Sequence, residues 1–307
     1  MDILLQQLIN GLVLGSIYAL VALGYTMVYG ILELINFAHG EVLMIGAMVS
    51  LTMMQMLAGS GMPGPLIVVA GLAAAIPVCV AIAFIMERVA YRPLRHAPRL
   101  APLITAIGIS MLLQNLAAII WGKQYIPMPR VLKVTPFEIA GATMTNLQVF
   151  IVVLSATLMA ALLLVVKKTR LGRAMRATAQ NKEVAGLMGV DINRIISITF
   201  MIGAAMAAVA GVMVTSYYSQ AHYYMGFLLG LKAFTAAVLG GIGNLGGAML
   251  GGLLLGVIES LGAGYIGDLT GGFLGSNYQD IFAFFVLITV LIFRPSGLMG
   301  ERGTDRA

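Results

Sequence analysis

The chain has 307 residues, of which 60% are hydrophobic and 10% charged, with a mean hydropathy of +0.97 and a net charge of +6. Soluble domains carry about 25% charged residues, so a water-soluble globule is excluded and lipid must serve as solvent for much of the surface. The basic residues fall in short stretches between apolar runs, so membrane topology explains the charge and nucleic acid is not an expected partner.

Apolar runs of roughly 17–25 residues cross a ~30 Å hydrocarbon core as helices. They predict spans near residues 8–30, 41–59, 66–86, 101–121, 147–166, 195–216, 225–241, 246–265 and 280–293, the seventh being short and carrying Lys232. In lipid a helix satisfies every backbone group internally. The predicted fold class is therefore all-α, a polytopic integral membrane bundle of about eight or nine transmembrane helices, expected as a single domain over residues 1–307. The first run follows Met1-Asp2 with no basic n-region and is longer than a signal-peptide core, so it is expected to stay as a span. Cys79, the one cysteine, lies inside a span and is expected as a buried free thiol.

Between the first two spans lies Glu33 to Glu41, ELINFAHGE, with two carboxylates, an asparagine and a histidine. Two readings fit. It is a cheap interfacial turn, or it is a broken helix dipping inward near Asn36 or Gly40, with a free amide end for a carboxylate. His39, Glu33 and Glu41 are too few for a metal, and neither His96 nor His222 has a ligand-like neighbour in sequence, so no metal or cofactor is expected.

The stretch Glu87–Leu100 carries Arg88, Arg92, Arg95 and Arg99, whereas Gly122–Asn146 has only Lys123, Arg130 and Lys133 with three prolines. The positive-inside rule puts the first in the cytoplasm and the second outside. Gln114 and Asn115 sit near the outer end of their span beside Trp121, which suits an aromatic belt.

The loop 167–194 holds Lys167, Lys168, Arg170, Arg173, Arg176, Lys182 and Arg194, which marks it as cytoplasmic. Asn181 is a good N-cap, Lys182 to Met188 can form one or two helical turns, and Gly189 stops them; Asp191 then caps the next helix. The segment reads either as a solvated basic loop that fixes orientation or as a short lever standing off the membrane. Parity places the tail, with Arg294, Arg302 and Arg306, in the cytoplasm, and the N-terminus outside.

Gly203, Ala207 and Gly211 repeat every four residues in the following span, and Gly247, Gly251, Gly252 and Gly256 do so later. Such faces let helix backbones pack closely. Lys232 can snorkel, while Glu259 lies deeper in its span and is the better candidate for a buried charge. No GxSxG, HExxH or GxxxxGK[ST] sequence is present, so no catalytic set is expected and ATP, if used, must be bound by another chain.

The sequences ELINFAHGEVLMIGA, ERVAYRPLR, AIGISMLLQN, LGRAMRATAQNKEVAGLMGVDINRI, FMIGAAMAAVAG and KAFTAAVLGGIGNLGGAMLGGLLLG occur in that order. Together they resemble the branched-chain amino acid ABC permeases of the LivH type, over nearly the whole chain. The resemblance implies a multi-pass subunit of the bacterial inner membrane, paired with a second, LivM-type permease. Two ATPase subunits and a periplasmic solute-binding protein complete the implied assembly. It further implies an ATPase-coupling helix at Asn181, Lys182, Glu183, Ala185, Gly186, Leu187 and Gly189. Asn36, His39 and Glu41 are then the candidates for polar groups along the substrate path. Relatives of similar sequence carry urea or short amides, so these are the alternative cargo. An ion-coupled secondary transporter would have to rely on Glu259, Glu33 and His39, and a passive channel would carry solute without ATP.

Overall fold

A computed structural model describes residues 2–95, 97–98, 100–139, 141–271 and 279–300. His96, Arg99, Arg302 and Arg306 lie outside the described residues, as does most of the stretch 270–278. The chain is a polytopic helical membrane protein. Its long helices are α1 (Asp2–Leu32), α2 (His39–Leu57), α3 (Gly64–Ile85), α4 (Leu100–Trp121), α5 (Asn146–Lys168), α8 (Ile192–Tyr218) and α10 (Leu245–Leu269). All seven are long and apolar enough to cross a membrane. The shorter apolar helices α9 (Met225–Gly240) and α11 (Gln279–Phe293) coincide with the seventh and ninth predicted spans.

Two further helices, α6 (Arg170–Gln180) and α7 (Lys182–Leu187), occupy the basic loop. The proline-containing loop after α4 carries three short strands, β1 (Ile126–Pro127), β2 (Pro136–Ile139) and β3 (Ala142–Thr145). β2 and β3 form an antiparallel hairpin, and β1 pairs with β4 (Gln220–Ala221) in the loop after α8. Loops on opposite sides of a ~30 Å core could not pair in this way. The β1–β4 ladder therefore agrees with the span parity, which assigns those two loops to one side.

The chain divides into two compact units. The larger comprises Met27–Lys133 and Leu158–Leu231 and is built around α2, which is buried over most of its length between α3 and α8. Small residues make that packing close. A Cβ on Gly46 would lie 2.8 Å from Ala208 Cα, and one on Gly211 would lie 2.8 Å from the Ala47 nitrogen. Gly203 and Ala207 are buried on the same helix. Cys79 is buried and free, its thiol donating to the Val42 carbonyl at 3.3 Å.

The smaller unit comprises Met1–Thr26, Val134–Thr157 and Lys232–Ala307. Here α1 and α10 meet backbone to backbone. A Cβ on Gly252 would lie 2.5 Å from Ala19 Cα, and one on Gly11 would lie 2.6 Å from Val257 Cα. Gly256 faces Gly15 on the same seam, while Gly247 and Gly251 face α9 at Gly240 and Ala236. With little hydrophobic drive between helices in lipid, such contacts depend on dispersion between closely packed backbones.

Candidate functional site

Polar residues gather at several places in the larger unit. The first is the segment that breaks the helical path between α1 and α2. Glu33, at φ 58°, is a non-glycine residue in the left-handed region, and it ends α1. The Asn36 Oδ1 accepts from the Ala38 backbone N–H at 3.1 Å and from the Tyr91 hydroxyl at 2.7 Å. That turn carries the chain into α2, whose N-cap, Ala38, offers no side-chain acceptor to the first-turn amides. Asn36, His39 and Glu41 are all buried.

Glu41 is 1% exposed. Its Oε1 accepts from the Ser110 hydroxyl at 3.1 Å and from the Gln114 amide at 2.7 Å, both on α4. Ser110 and Gln114 stand ten and fourteen residues beyond Leu100, where α4 begins, or about 15 and 21 Å along its axis. Glu41 therefore sits at membrane depth, and the segment before it is a break inside the protein rather than an interfacial turn. Gly40 and Gly226 bring the first turns of α2 and α9 into backbone contact, and a Cβ on Gly226 would lie 2.6 Å from Glu41 Oε2.

The second gathering lies at the basic end. Thr169 caps α6, Asn181 caps α7 and Asp191 caps α8, each side chain accepting from the amide three residues on at 3.0–3.1 Å. Gly189, at φ 86°, closes α7: Val190 N–H reaches the Ala185 carbonyl and Gly189 N–H the Gly186 carbonyl. This is the left-handed termination that favours glycine. Ala185 is buried where α7 packs on α6 and α8. Lys182, Glu183 and Gly186 face outward, and the apolar side chains beside them are 87% exposed at Leu187 and 80% at Met188.

Sequence reasoning assigned Arg92 and Arg95 to topology alone, but they also grip a buried carboxylate. Glu87 lies in a π-helical turn, Met86–Tyr91, that continues α3. It accepts from Arg92 at 2.8 Å, from Arg95, and from the Ser197 hydroxyl of α8 at 2.6 Å. Arg95 also donates to Asn193 at 2.6 Å. The hydrogen bond to Glu87 is the main influence on Arg92 and raises its pKa; burial is the main influence on Arg95 and lowers it, opposed by Glu87. The cluster ties the end of α3 to the start of α8.

A profile of the family described as branched-chain amino acid transport system / permease component matches residues 7–291. The chain belongs to that family. It is 48% identical over 98% of its length to the high-affinity branched-chain amino acid transport system permease protein BraD of Pseudomonas aeruginosa, covering 97% of that protein. It is 46% identical, with the same coverage, to the proteins named LivH in Escherichia coli K12 and Salmonella typhimurium. No solved structure matches.

In this branched-chain permease the smaller unit carries its own charge cluster, and there the expectation for Lys232 needs correction. It does not snorkel. Its ammonium is buried and lies 2.7 Å from Glu259 and 2.7 Å from Asp280, while the Tyr18 hydroxyl donates to Glu259 at 3.0 Å. A charge in an apolar span goes to a partner when one is within reach. Two ionisable residues in neighbouring spans, Lys232 and Glu259, were the available sequence signal. Trp121 donates to Thr52 at 2.7 Å, so it is bonded within the larger unit. His222 Nε2 lies 3.0 Å from the Lys123 carbonyl, and the ring stacks on Tyr125.

Proposed function

We propose that this chain is the membrane-spanning subunit of an ATP-binding-cassette importer in a bacterial inner membrane, with leucine, isoleucine and valine as its cargo. A periplasmic binding protein delivers the amino acid, a second LivM-type permease completes the pathway, and two ATPase subunits supply the energy. The whole of residues 1–307 acts as a single permease domain. The observation that carries this reading is sequence similarity along the full chain to permeases named for branched-chain amino acid transport.

In this scheme α7 docks in the ATPase pair. Its capped, anchored backbone and outward Leu187 and Met188 suit a helix that a partner grips and moves. Closure of the ATPases on ATP shifts α7, and α8, which follows it within a few residues, passes the motion to α2. Asn36, His39 and Glu41 line the cargo path, and the glycine faces containing Gly203, Ala207, Gly211, Gly247, Gly251, Gly252 and Gly256 let helices slide or rock at small cost.

The test is uptake in proteoliposomes. The complete assembly with ATP and loaded binding protein should accumulate leucine, whereas the chain alone with an ion gradient should not. Gradient-driven uptake by the chain alone would establish a secondary transporter and overturn the proposal.

A further inference from the structure

Three glutamates are fully buried among the described residues: Glu41, Glu87 and Glu259. Two of them have cations supplied by the chain. Glu87 is held by Arg92 and Arg95, and Glu259 by Lys232. Glu41 has none among the described residues. Only the neutral donors Ser110 and Gln114 reach it, and both bind the same oxygen. Its other oxygen, Oε2, is buried with no hydrogen-bond partner and points at the glycine crossing of α2 and α9.

A buried carboxylate without a cation is costly. Ser110 and Gln114 fix the orientation of this one and leave its free oxygen directed at the close crossing of α2 and α9, beside the Gly40 backbone and the Met44 Cβ. Gly40 and Gly226 themselves carry no Cβ at the α2–α9 crossing, and a side chain at Gly226 would fill the position in front of Oε2.

We infer that Glu41 is the group that recognises the α-ammonium of the cargo: the missing cation arrives with the transported amino acid and binds Oε2 when the α2–α9 crossing opens. The inference rests on the proposed amino-acid import and adds the chemical group read at this position. Leucine, isoleucine and valine share the ammonium and differ only in the apolar part, so one carboxylate serves all three. Urea and simple amides carry no ammonium and would gain nothing from it.

The test is equilibrium binding of labelled leucine to the purified permease complex. It is competed by 3-methylbutylamine, which keeps the ammonium, and by 4-methylpentanoate, which keeps the carboxylate. In the wild type the amine should compete at least tenfold better than the acid. Glu41→Gln should weaken leucine binding roughly tenfold or more, as expected for a lost hydrogen bond to a charged group, and should abolish the preference for the amine. Gln114→Ala, which loosens the carboxylate but keeps its charge, should weaken binding by a smaller factor and preserve the preference.

Unchanged leucine binding in Glu41→Gln overturns the inference, and so does a wild type that takes the acid as well as the amine. If Glu41→Gln fails to fold, the wild-type competition and Gln114→Ala still test it: an acid that competes as well as the amine, or a Gln114→Ala variant that binds leucine as tightly as the wild type, overturns the inference. A complete wild-type assembly that takes up none of leucine, isoleucine or valine instead refutes the functional reading on which the inference rests.

Discussion

Replacing Leu187 and Met188 together by alanine should uncouple the permease from the proposed ATPase subunits without unfolding it. The two side chains are 87% and 80% exposed, so their removal takes almost nothing from the folded chain, and surface changes of this kind usually stay within about ±0.5 kcal/mol. A partner groove that covers them gains about 1.5–3 kcal/mol for each fully buried apolar side chain. Part of that is offset by ordering and association costs. A net loss of about 1.5–3 kcal/mol remains, or roughly ten- to a hundredfold in affinity at about 1.4 kcal/mol per decade. Ala185, which anchors α7, is untouched, so the helix stays seated. The assay is co-purification of the ATPase subunits at graded salt, with solute-stimulated ATP hydrolysis measured on the same samples. Loss of both in a normally inserted variant is the expected result. Full ATPase retention and stimulation would refute the docking role of α7.

Lys232→Met should destabilise the smaller unit by about 3–5 kcal/mol, because Glu259 and Asp280 lose their shared cation. Adding Glu259→Leu should recover part of the loss, and thermal unfolding in detergent reads both changes. Gly252→Val should cost at least about 1–3 kcal/mol, since its Cβ would meet the α1 backbone at Ala19. Gly108→Ala on exposed α4, where a Cβ meets nothing within 4 Å, should instead stabilise by up to about 1 kcal/mol.

The spans were legible because crossing a bilayer imposes one requirement on every segment, a long apolar run, and that requirement is local. Even α7 could be read in advance, since Asn181, Gly189 and Asp191 act on amides within a few residues. The polar clusters were not legible in the same way. Glu41 meets Ser110 and Gln114 some seventy positions along the chain, and Glu87 meets Ser197 more than a hundred away. No periodicity within a single span encodes those partners. The arginines of ERVAYRPLR looked sufficient as topology markers, which hid their grip on Glu87. Lys232 was misjudged because a short span with one lysine suits snorkelling equally well. Its partners, Glu259 and Asp280, stand on two other helices.

Import of branched-chain amino acids is the central claim, and a solute panel tests it most directly. Binding-protein-stimulated ATP hydrolysis by the complete assembly is measured with leucine, valine and urea in turn. Stimulation and matching uptake with leucine and valine, and background rates with urea, are the predicted result. Stimulation by urea alone, or hydrolysis indifferent to all three solutes, would contradict it.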